Sequence, residues 1–155
     1  MTLFKVEMTI PHFFQSTEQN CGPACLRMIF AALGVTRDEA TIAHSCGMTA
    51  LGCTIHDLVL AAQALGFHAA LLSIYGEPGA VAALSSELPF VAMIDLAGLH
   101  GGAMFQWHFV VPLASGRAEV VFHDPADGPD QRAKIDDFLS AWATAGYRGV
   151  RVWTP

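Results

Sequence analysis

The sequence predicts an α+β domain in which helices come first and a mostly antiparallel sheet follows. The chain has 155 residues, of which 53% are hydrophobic and only 14% charged, so it can build one large core. Segments with helical spacing fill the first half, and short apolar or β-branched runs fill the second. Since no repeat or low-complexity segment divides the chain, we expect residues 1–155 to form a single domain.

Three helices are predicted in the first half of the chain. Their ranges are Pro23–Leu33, a segment that begins within residues 36–39, and Thr54–Leu65. Gly34 and Gly66 supply the left-handed residues that close the first and third of these helices. Thr36 and Glu39 have the spacing of a capping box, which predicts the start of the second helix.

After Gly66 the hydrophobic pattern changes to that of strands. The predicted strands are Ala69–Tyr75, Phe90–Leu96, Trp107–Leu113, Glu119–His123 and Gly149–Trp153. Ser115 and Gly116 have the composition of a hairpin turn between the third and fourth strands. Gly79–Leu88 and Ile135–Ala145 fit short helices that cover the sheet.

Charge and hydropathy exclude several classes of partner. The chain has 14 acidic and 8 basic residues and no run of Lys or Arg, so binding to nucleic acid or to an anionic membrane is not expected. No stretch of about 18 apolar residues runs without a break, so no membrane span is expected either. Residues 1–15 lack the apolar centre of a secretory signal, which favours a cytoplasmic protein with free thiols.

The segment around Cys21 carries the strongest chemical signal. From Ala24 to Leu33 only Arg27 is polar, which is typical of a helix in the middle of a domain. Pro23 suits the first helical position and therefore places Cys21 at the helix start. Unpaired backbone N–H groups and the positive end of the helix dipole favour a thiolate there, so Cys21 is the candidate nucleophile.

The other three cysteines are expected to be small core residues. A zinc site is the alternative, with ligands drawn from Cys21, Cys25, Cys46, Cys53, His44 and His56. The spacing is poor for structural zinc, because six residues separate Cys46 from Cys53 and no pair of tight knuckles is present. We therefore expect neither a bound metal nor a cofactor.

A nucleophilic thiolate needs a base and donors for the developing oxyanion. Of seven histidines, His108 stands out because it lies in an otherwise apolar strand, where an unpaired imidazole is costly to bury. Gln15 precedes Cys21 by six residues and is the candidate oxyanion donor beside the Cys21 backbone N–H, with Gln19 as an alternative.

The hairpin register decides which group faces His108. A two-residue loop, 115–116, would place His108 opposite His123, whereas a three-residue loop, 115–117, or an equivalent bulge would place it opposite Asp124. We favour the longer loop, because Asp124 would then accept a hydrogen bond from the imidazole, fix its tautomer and stabilise its protonated form.

These residues resemble a known family, the papain-like cysteine peptidases that remove double-glycine leader peptides from bacteriocin precursors. The resemblance covers most of the chain and rests, in order, on Gln15, Cys21-Gly-Pro-Ala-Cys25, His108-Phe-Val-Val and Asp124-Pro-Ala. It implies a papain-like fold, in which a helical half carrying the cysteine packs against a sheet carrying the histidine and the aspartate. By resemblance Cys21 is the nucleophile, His108 the acid and base, Asp124 the orienting residue and Gln15 an oxyanion donor.

The resemblance implies a peptidase whose partner is a peptide or protein substrate. Unlike the best-known family members, the chain has no fused transporter segment and no Gly-Lys-Ser/Thr phosphate loop, so a stand-alone peptidase is expected. Acyl transfer to an amine, as in a transglutaminase-like enzyme, and non-catalytic peptide binding remain alternatives on the same residues. His100-Gly-Gly, just before the histidine strand, is a candidate cleft rim or a plain surface turn.

Overall fold

A computed structural model describes residues 4–155, and in that part of the chain a seven-stranded sheet lies between two groups of helices. The helices are α1 (Cys21–Ala32), α2 (Glu39–Ser45), α3 (Ile55–Ala64), α4 (Gly76–Ser86), α5 (Ala97–His100) and α6 (Ile135–Thr144). The strands are β1 (Phe4–Lys5), β2 (His68–Leu71), β3 (Val91–Asp95), β4 (Trp107–Ser115), β5 (Glu119–Asp124), β6 (Gly128–Lys134) and β7 (Gly149–Trp153). The predicted α+β class is confirmed.

The sheet is antiparallel between all of its paired strands. Its order is β2-β7-β3-β4-β5-β6, and β1 pairs with the end of β4. The two long strands β4 and β5 therefore lie at neighbouring places inside the sheet, where both can bury their side chains. None of the helices in the described range 4–155 is long and apolar enough to cross a bilayer.

Alternate side chains of the sheet enter two different cores. Phe109 and Val111 of β4 pack with residues of α1, α2 and α3, whereas Val110 packs with residues of α4 and α6. This alternation is the two-residue period of a strand buried on both faces. The hairpin of β4 and β5 therefore packs against α1, α2 and α3 on one face and against α4 and α6 on the other.

The helix starts differ in detail from the predictions. α1 begins at Cys21, so Pro23 is its third residue rather than its first; its missing N–H costs nothing there, because the first four N–H groups lack intrahelical partners. The capping box predicted for Thr36 and Glu39 is wrong, because Asp38 caps α2 by accepting a bond from the Thr41 N–H. Glu39 is thereby left for a different contact, described below.

A true capping box occurs at α3. The Thr54 side chain accepts from the Asp57 N–H, and the Asp57 carboxylate accepts from the Thr54 N–H. Three elements escaped the sequence analysis, namely β1, β6 and α5. β6 has the sequence Gly-Pro-Asp-Gln-Arg-Ala-Lys, which has little strand propensity, and it stands at the edge of the sheet, where a proline is tolerated.

The connection between β4 and β5 differs from both predicted registers. β4 continues to Ser115 and β5 begins at Glu119, so residues 116–118 form the loop. The ladder also contains a bulge, because the pairing shifts between Pro112 and Ala114. Neither the longer strand nor the bulge has a clear signal in the local sequence.

As a result, His108 and Asp124 are not directly opposite each other. Val111 pairs with His123, which places Asp124 level with Val110, two residues from His108 along the same face. The predicted register is therefore wrong. The two side chains still meet, because diagonal neighbours on one face of an antiparallel pair are within reach of a long side chain.

Candidate active site

Cys21 lies at the first residue of α1, where the chain leaves an exposed polar loop. Its side chain is 9% exposed, while the following residues of the helix are almost completely buried. The N–H groups of Cys21 and Gly22 open the first turn, whereas Pro23 has none and the Ala24 N–H donates to the Asn20 carbonyl oxygen at 3.0 Å. The helix dipole adds positive potential. The arrangement holds the sulfur rigidly at a point where the core meets solvent.

His108 and Asp124 form a buried pair. His108 donates from Nε2 to Asp124 Oδ1 over 2.7 Å, and the two residues are 6% and 1% exposed. The same carboxylate oxygen accepts the backbone N–H groups of Ala126, at 2.8 Å, and Asp127, at 3.3 Å. Since Nε2 is bound to Asp124, the ring is held as the tautomer that leaves Nδ1 for another partner.

Asp124 and Cys21 together influence the charge of the His108 ring. Burial disfavours the protonated ring, but hydrogen bonds to Asp124 and Cys21, and the charges of both groups, raise the pKa of His108 to about 9. For Asp124, burial opposes ionisation, but the hydrogen bond and charge of His108 and the two backbone N–H groups lower the pKa of the carboxyl. The site therefore favours an imidazolium held by a carboxylate near neutral pH.

A second set of contacts fixes the backbone around Asp124. His12 donates from Nε2 to the Asp124 carbonyl oxygen at 2.7 Å, and the Gln15 N–H donates to the Pro125 carbonyl oxygen at 2.8 Å. His123 donates from Nε2 to the Ile10 carbonyl oxygen at 2.7 Å. The N-terminal segment is thus bound to the turn that carries the carboxylate.

Gln15 lies in the loop that precedes α1, and its side-chain donors are turned toward that loop. Nε2 donates to the carbonyl oxygens of Thr17, at 2.8 Å, and Glu18, at 3.3 Å, while Oε1 is buried without a hydrogen-bond partner. Both hydrogens of the amide are occupied in this way. Donation to a bound oxyanion therefore requires a side-chain rotation.

Glu39 holds this loop from α2 and was not predicted to do so. Its carboxylate is 8% exposed and accepts from the Ser16 N–H and hydroxyl and from Asn20 Nδ2, the last at 2.6 Å. Asn20 immediately precedes Cys21 in α1. The only sequence signal was an acidic residue at a helix start, which equally fitted the capping box.

The remaining cysteines differ from Cys21 in their surroundings. All four thiols are free, and Cys25 and Cys46 are buried. Burial, together with the charges of Cys21, Asp124 and Cys53, raises the pKa of the Cys25 thiol. A hydrogen bond with Cys46, followed by burial, raises the pKa of Cys53. In the described part of the chain no group of three or more His, Cys, Asp or Glu is arranged to hold a metal.

A cleft of about 680 Å³ opens beside Cys21. Its walls combine apolar and polar side chains, among them Gln19, Cys53, His56, Trp107, Phe109 and Arg148. A larger groove of about 960 Å³ lies between α4, α6 and the β4–β5 loop, but none of Cys21, His108 and Asp124 lines it. The smaller cleft is the one that can bring a substrate to the thiol.

Sequence comparisons give one family. The model of the peptidase C39 family matches residues 9–147. An uncharacterized protein of Methanothermobacter marburgensis is 30% identical over 115 residues, which make up 74% of this chain and 70% of that protein. The matched range includes Gln15, Cys21, His108 and Asp124.

Solved structures with the same fold are peptidase domains. The peptidase domain of Streptococcus ComA, a bifunctional ABC transporter of quorum sensing, matches with a TM-score of 0.75, 19% identity and coverage of 95% of this chain and 100% of that domain. A double glycine motif protease from an AMS/PCAT transporter, solved in complex with the leader peptide, matches with a TM-score of 0.78 and 17% identity, and the match covers 98% of this chain and 95% of that one. A candidate C39-like peptidase from Bacillus anthracis matches with a TM-score of 0.76 and 16% identity, and the match covers 97% of this chain and 98% of that one. The predicted papain-like architecture is confirmed.

Proposed function

The chain belongs to the peptidase C39 family, and we propose that it cleaves peptide bonds with Cys21 as the nucleophile. In this proposal His108 is the general acid and base, Asp124 orients it, and Gln15 contributes to the oxyanion hole. The observation that supports the proposal most strongly is the buried His108–Asp124 pair, which bonds at 2.7 Å and raises the pKa of His108 to about 9.

The first half of the reaction forms a thioester. The Cys21 thiolate attacks the carbonyl carbon of the scissile bond, and the carbonyl electrons move onto oxygen. The C–N bond then breaks, and His108 gives its proton to the leaving amine. Asp124 stays ionised throughout and keeps Nε2 engaged, so that Nδ1 is the nitrogen that exchanges the proton.

The second half releases the acyl group. Neutral His108 takes a proton from water, the resulting hydroxide attacks the thioester carbon, and the C–S bond breaks to restore the thiolate. Each half develops negative charge on the same oxygen. The Cys21 backbone N–H and the Gln15 amide, once Nε2 has turned away from Thr17 and Glu18, are the proposed donors to it.

For the substrate we propose a peptide that contains two consecutive glycines before the cleaved bond. The AMS/PCAT relative is a double glycine motif protease and was solved with a leader peptide. The cleft is an open surface feature lined by exposed residues such as Leu51 and Trp107, which suits an extended chain better than a small molecule.

Selective alkylation tests the nucleophile without knowledge of the substrate. The protein is treated with limiting iodoacetamide at pH 6, and mass spectrometry of its peptides measures the modified fraction of each cysteine. We expect Cys21 to react well before the other three thiols, because it opens α1 and lines the cleft, whereas burial raises the pKa of Cys25 and the hydrogen bond with Cys46 raises the pKa of Cys53. Replacing the ring, in His108→Gln, is expected to slow this reaction about 10²-fold or more.

Cys53→Ser is the matched control, because Cys53 lines the same cleft but lies outside the proposed triad. It should leave the Cys21 rate unchanged. The activity itself is tested by incubating the protein with peptides that carry an internal Gly-Gly, followed by mass spectrometry. Cleavage that is lost in Cys21→Ala supports the proposal, and equal reactivity of all four thiols would contradict it. A product extended by an added amine would identify acyl transfer instead.

A further inference from the structure

The loop between β3 and β4, residues 96–106, is organised by one buried carboxylate. Asp95 is 2% exposed and accepts three backbone N–H groups from this loop, those of Ala97 at 3.1 Å, Phe105 at 2.8 Å and Gln106 at 3.0 Å. Both ends of the loop are therefore bound to a single side chain. Hydrogen bonds to a buried charged group are among the stronger polar contacts in proteins.

Two further contacts fix the same loop. The Leu96 N–H donates to the Gln106 carbonyl oxygen at 3.0 Å, which closes the base of the loop. Gly98 lies so close to α6 that a Cβ at this position would approach the Cα of Ala141 to 2.7 Å. Only glycine permits this contact between α5 and α6. The loop is thus attached to the body of the protein at its base and along its first half.

The end of the loop reaches the cleft through one contact, because Phe105 lies against Trp107, a residue of the cleft wall. Phe105 has a positive φ of 65°, which is unusual for a bulky residue, and its side chain is 61% exposed. Its ring lies 5.5 Å from that of Trp107, which is 49% exposed and lines the cleft together with Cys21. Trp107 is also the residue directly before His108.

We propose that Asp95 is a positioning residue for substrate binding, which holds Phe105 and Trp107 as the aromatic wall of the cleft. The inference rests on the proposed function, since it assigns the wall to a peptide bound beside Cys21. Asp95 does not touch His108 or Cys21 through any of the bonds described for it. Its effect is therefore on the affinity for the peptide and not on the chemistry of the thiol.

The bond from the Phe105 N–H is the step that connects the carboxylate to the wall. It holds a left-handed backbone conformation that is costly for a non-glycine residue, so the conformation persists only while its partners enforce it. One oxygen of Asp95 accepts the N–H groups of Ala97 and Gln106, and the other accepts that of Phe105. In Asp95→Asn we expect the single carbonyl oxygen to keep the two bonds, so the Phe105 N–H faces the amide NH2 group and loses its acceptor. Phe105 would then relax, and the wall would lose its shape.

The test compares two reagents that alkylate the same sulfur. Iodoacetamide is too small to need the wall, whereas a benzyloxycarbonyl-Gly-Gly chloromethyl ketone places a peptide and an aromatic cap in the cleft. For Asp95→Asn we expect the apparent inhibition constant KI of the ketone to rise about tenfold, from the loss of one bond to a charged group. The limiting inactivation rate at saturation and the rate with iodoacetamide should both stay unchanged.

Two more variants keep the test independent of folding problems. Phe105→Ala removes an exposed ring without touching the buried carboxylate, and it should also raise the KI of the ketone. Asp38→Asn is the matched control, because Asp38 likewise accepts a backbone N–H, but at the start of α2. It should change neither the KI of the ketone nor the rate with iodoacetamide.

The outcomes separate this inference from the proposed function. A ketone KI that is unchanged in both Asp95→Asn and Phe105→Ala would overturn the role of Asp95, although Cys21 still reacted. An equal fall in the rates of both reagents in Asp95→Asn would also overturn it, since the carboxylate would then act on the thiol or on the whole fold. Wild-type Cys21 that shows no selective alkylation by either reagent would instead contradict the proposed function, and this inference with it.

Discussion

His108 and His123 lie on neighbouring strands and are buried to a similar extent, but their pKa values are shifted in opposite directions. The two residues are 6% and 5% exposed. His108 faces a carboxylate, and its pKa is raised to about 9. Burial lowers the pKa of His123, and the charge of His12 adds to this, against the opposing influence of the Ile10 carbonyl and Asp130. The two rings occupy opposite faces of the hairpin, because residues 123 and 124 alternate.

The difference shows that the partner, and not the depth of burial, decides the charge of a buried histidine in this fold. His123 donates from Nε2 to the Ile10 carbonyl and accepts the Asp130 N–H at Nδ1, over 3.1 Å. Protonation of Nδ1 would place two hydrogens against each other, so the contacts hold His123 neutral. One face of the hairpin thus carries a ring that favours the protonated form, and the other carries a ring held neutral by two hydrogen bonds.

Asp124→Asn should break this contrast most strongly. Without the carboxylate, Cys21 alone would oppose the influence of burial, so the pKa of His108 should fall well below about 9. Cleavage and alkylation of Cys21 should fall by about two to four orders of magnitude, because the ring loses both its orientation and its charge. NMR titration of the His108 ring protons measures the first effect, and the alkylation rate measures the second.

Asp127→Asn provides the control for that prediction. Asp127 is close in sequence, but its carboxylate faces His100 at 3.5 Å on the surface. This variant should leave both the alkylation rate and the pKa of His108 unchanged. If the pKa of His108 stayed near 9 in Asp124→Asn, the charge would have another source, and Asp124 would lose its assigned role.

His123→Leu should affect stability more than chemistry. It leaves the buried Ile10 carbonyl without its partner, which costs about 1–3 kcal/mol in the free energy of unfolding. The bond from the N–H of the exposed Asp130 is also lost, but water can replace it there. Urea denaturation measures this loss. The alkylation rate of Cys21 should fall less than in Asp124→Asn, since the carboxylate and His108 remain.

The exposed His44 of α2 offers a matched control for the loss of a ring. His44→Leu should change the free energy of unfolding by no more than about 0.5 kcal/mol. If His123→Leu were equally mild, the two hydrogen bonds of His123 would not contribute to stability, and the contrast between the two faces would rest on His108 alone.

The two histidines also predict opposite slopes of stability against pH. The raised pKa of His108 gives a contribution that is complete below pH 6.5 and is lost as the pH rises toward about 9. The lowered pKa of His123 works the other way, because the unfolded chain binds the proton more readily as the pH falls below 6.5. Stability should therefore be highest near pH 6.5, with slopes of at most about 1.4 kcal/mol per pH unit for each ring.

Urea unfolding between pH 5 and pH 8 measures both slopes. His123→Gln should flatten the acidic side alone, and His108→Gln the neutral-to-alkaline side alone. A wild-type profile that rises steadily from pH 5 to pH 8 would be inconsistent with the raised pKa of His108.

Local signals in the sequence predicted most of the fold and all the residues of the proposed triad. A terminal glycine and a segment with Arg27 as its only polar residue predicted α1, and short apolar or β-branched runs predicted β3, β4, β5 and β7 within a few residues. His108 was found because a polar ring in an apolar strand needs a buried partner. These arguments work because each depends on residues that are close together in sequence.

The features that were not predicted depend on distant partners. Glu39 contacts Ser16 and Asn20, far from it in sequence, and its local position suggested a capping box that does not form. The bulge between Pro112 and Ala114 lies in the ladder between β4 and β5, so it depends on a partner strand. β6 likewise forms by hydrogen bonding to β5, despite its low strand propensity. Asp95 was assigned to a strand, with no signal that it binds a loop.

His100→Ala should have the smallest effect, and it separates the influence of the carboxylate from that of burial. His100 has an acidic partner, as His108 does, since its Nε2 lies 3.5 Å from Asp127 Oδ2, but the two side chains are 56% and 53% exposed. Water competes for both groups there, and such pairs contribute about 0.2–1 kcal/mol at most. Urea unfolding at low salt should therefore show a loss of about 0.2 kcal/mol in the free energy of unfolding, and physiological salt should remove this loss. A loss of free energy as large as that of His123→Leu would mean that a carboxylate stabilises a histidine equally well on the surface. Burial would then not be what distinguishes the His108–Asp124 pair from the His100–Asp127 pair.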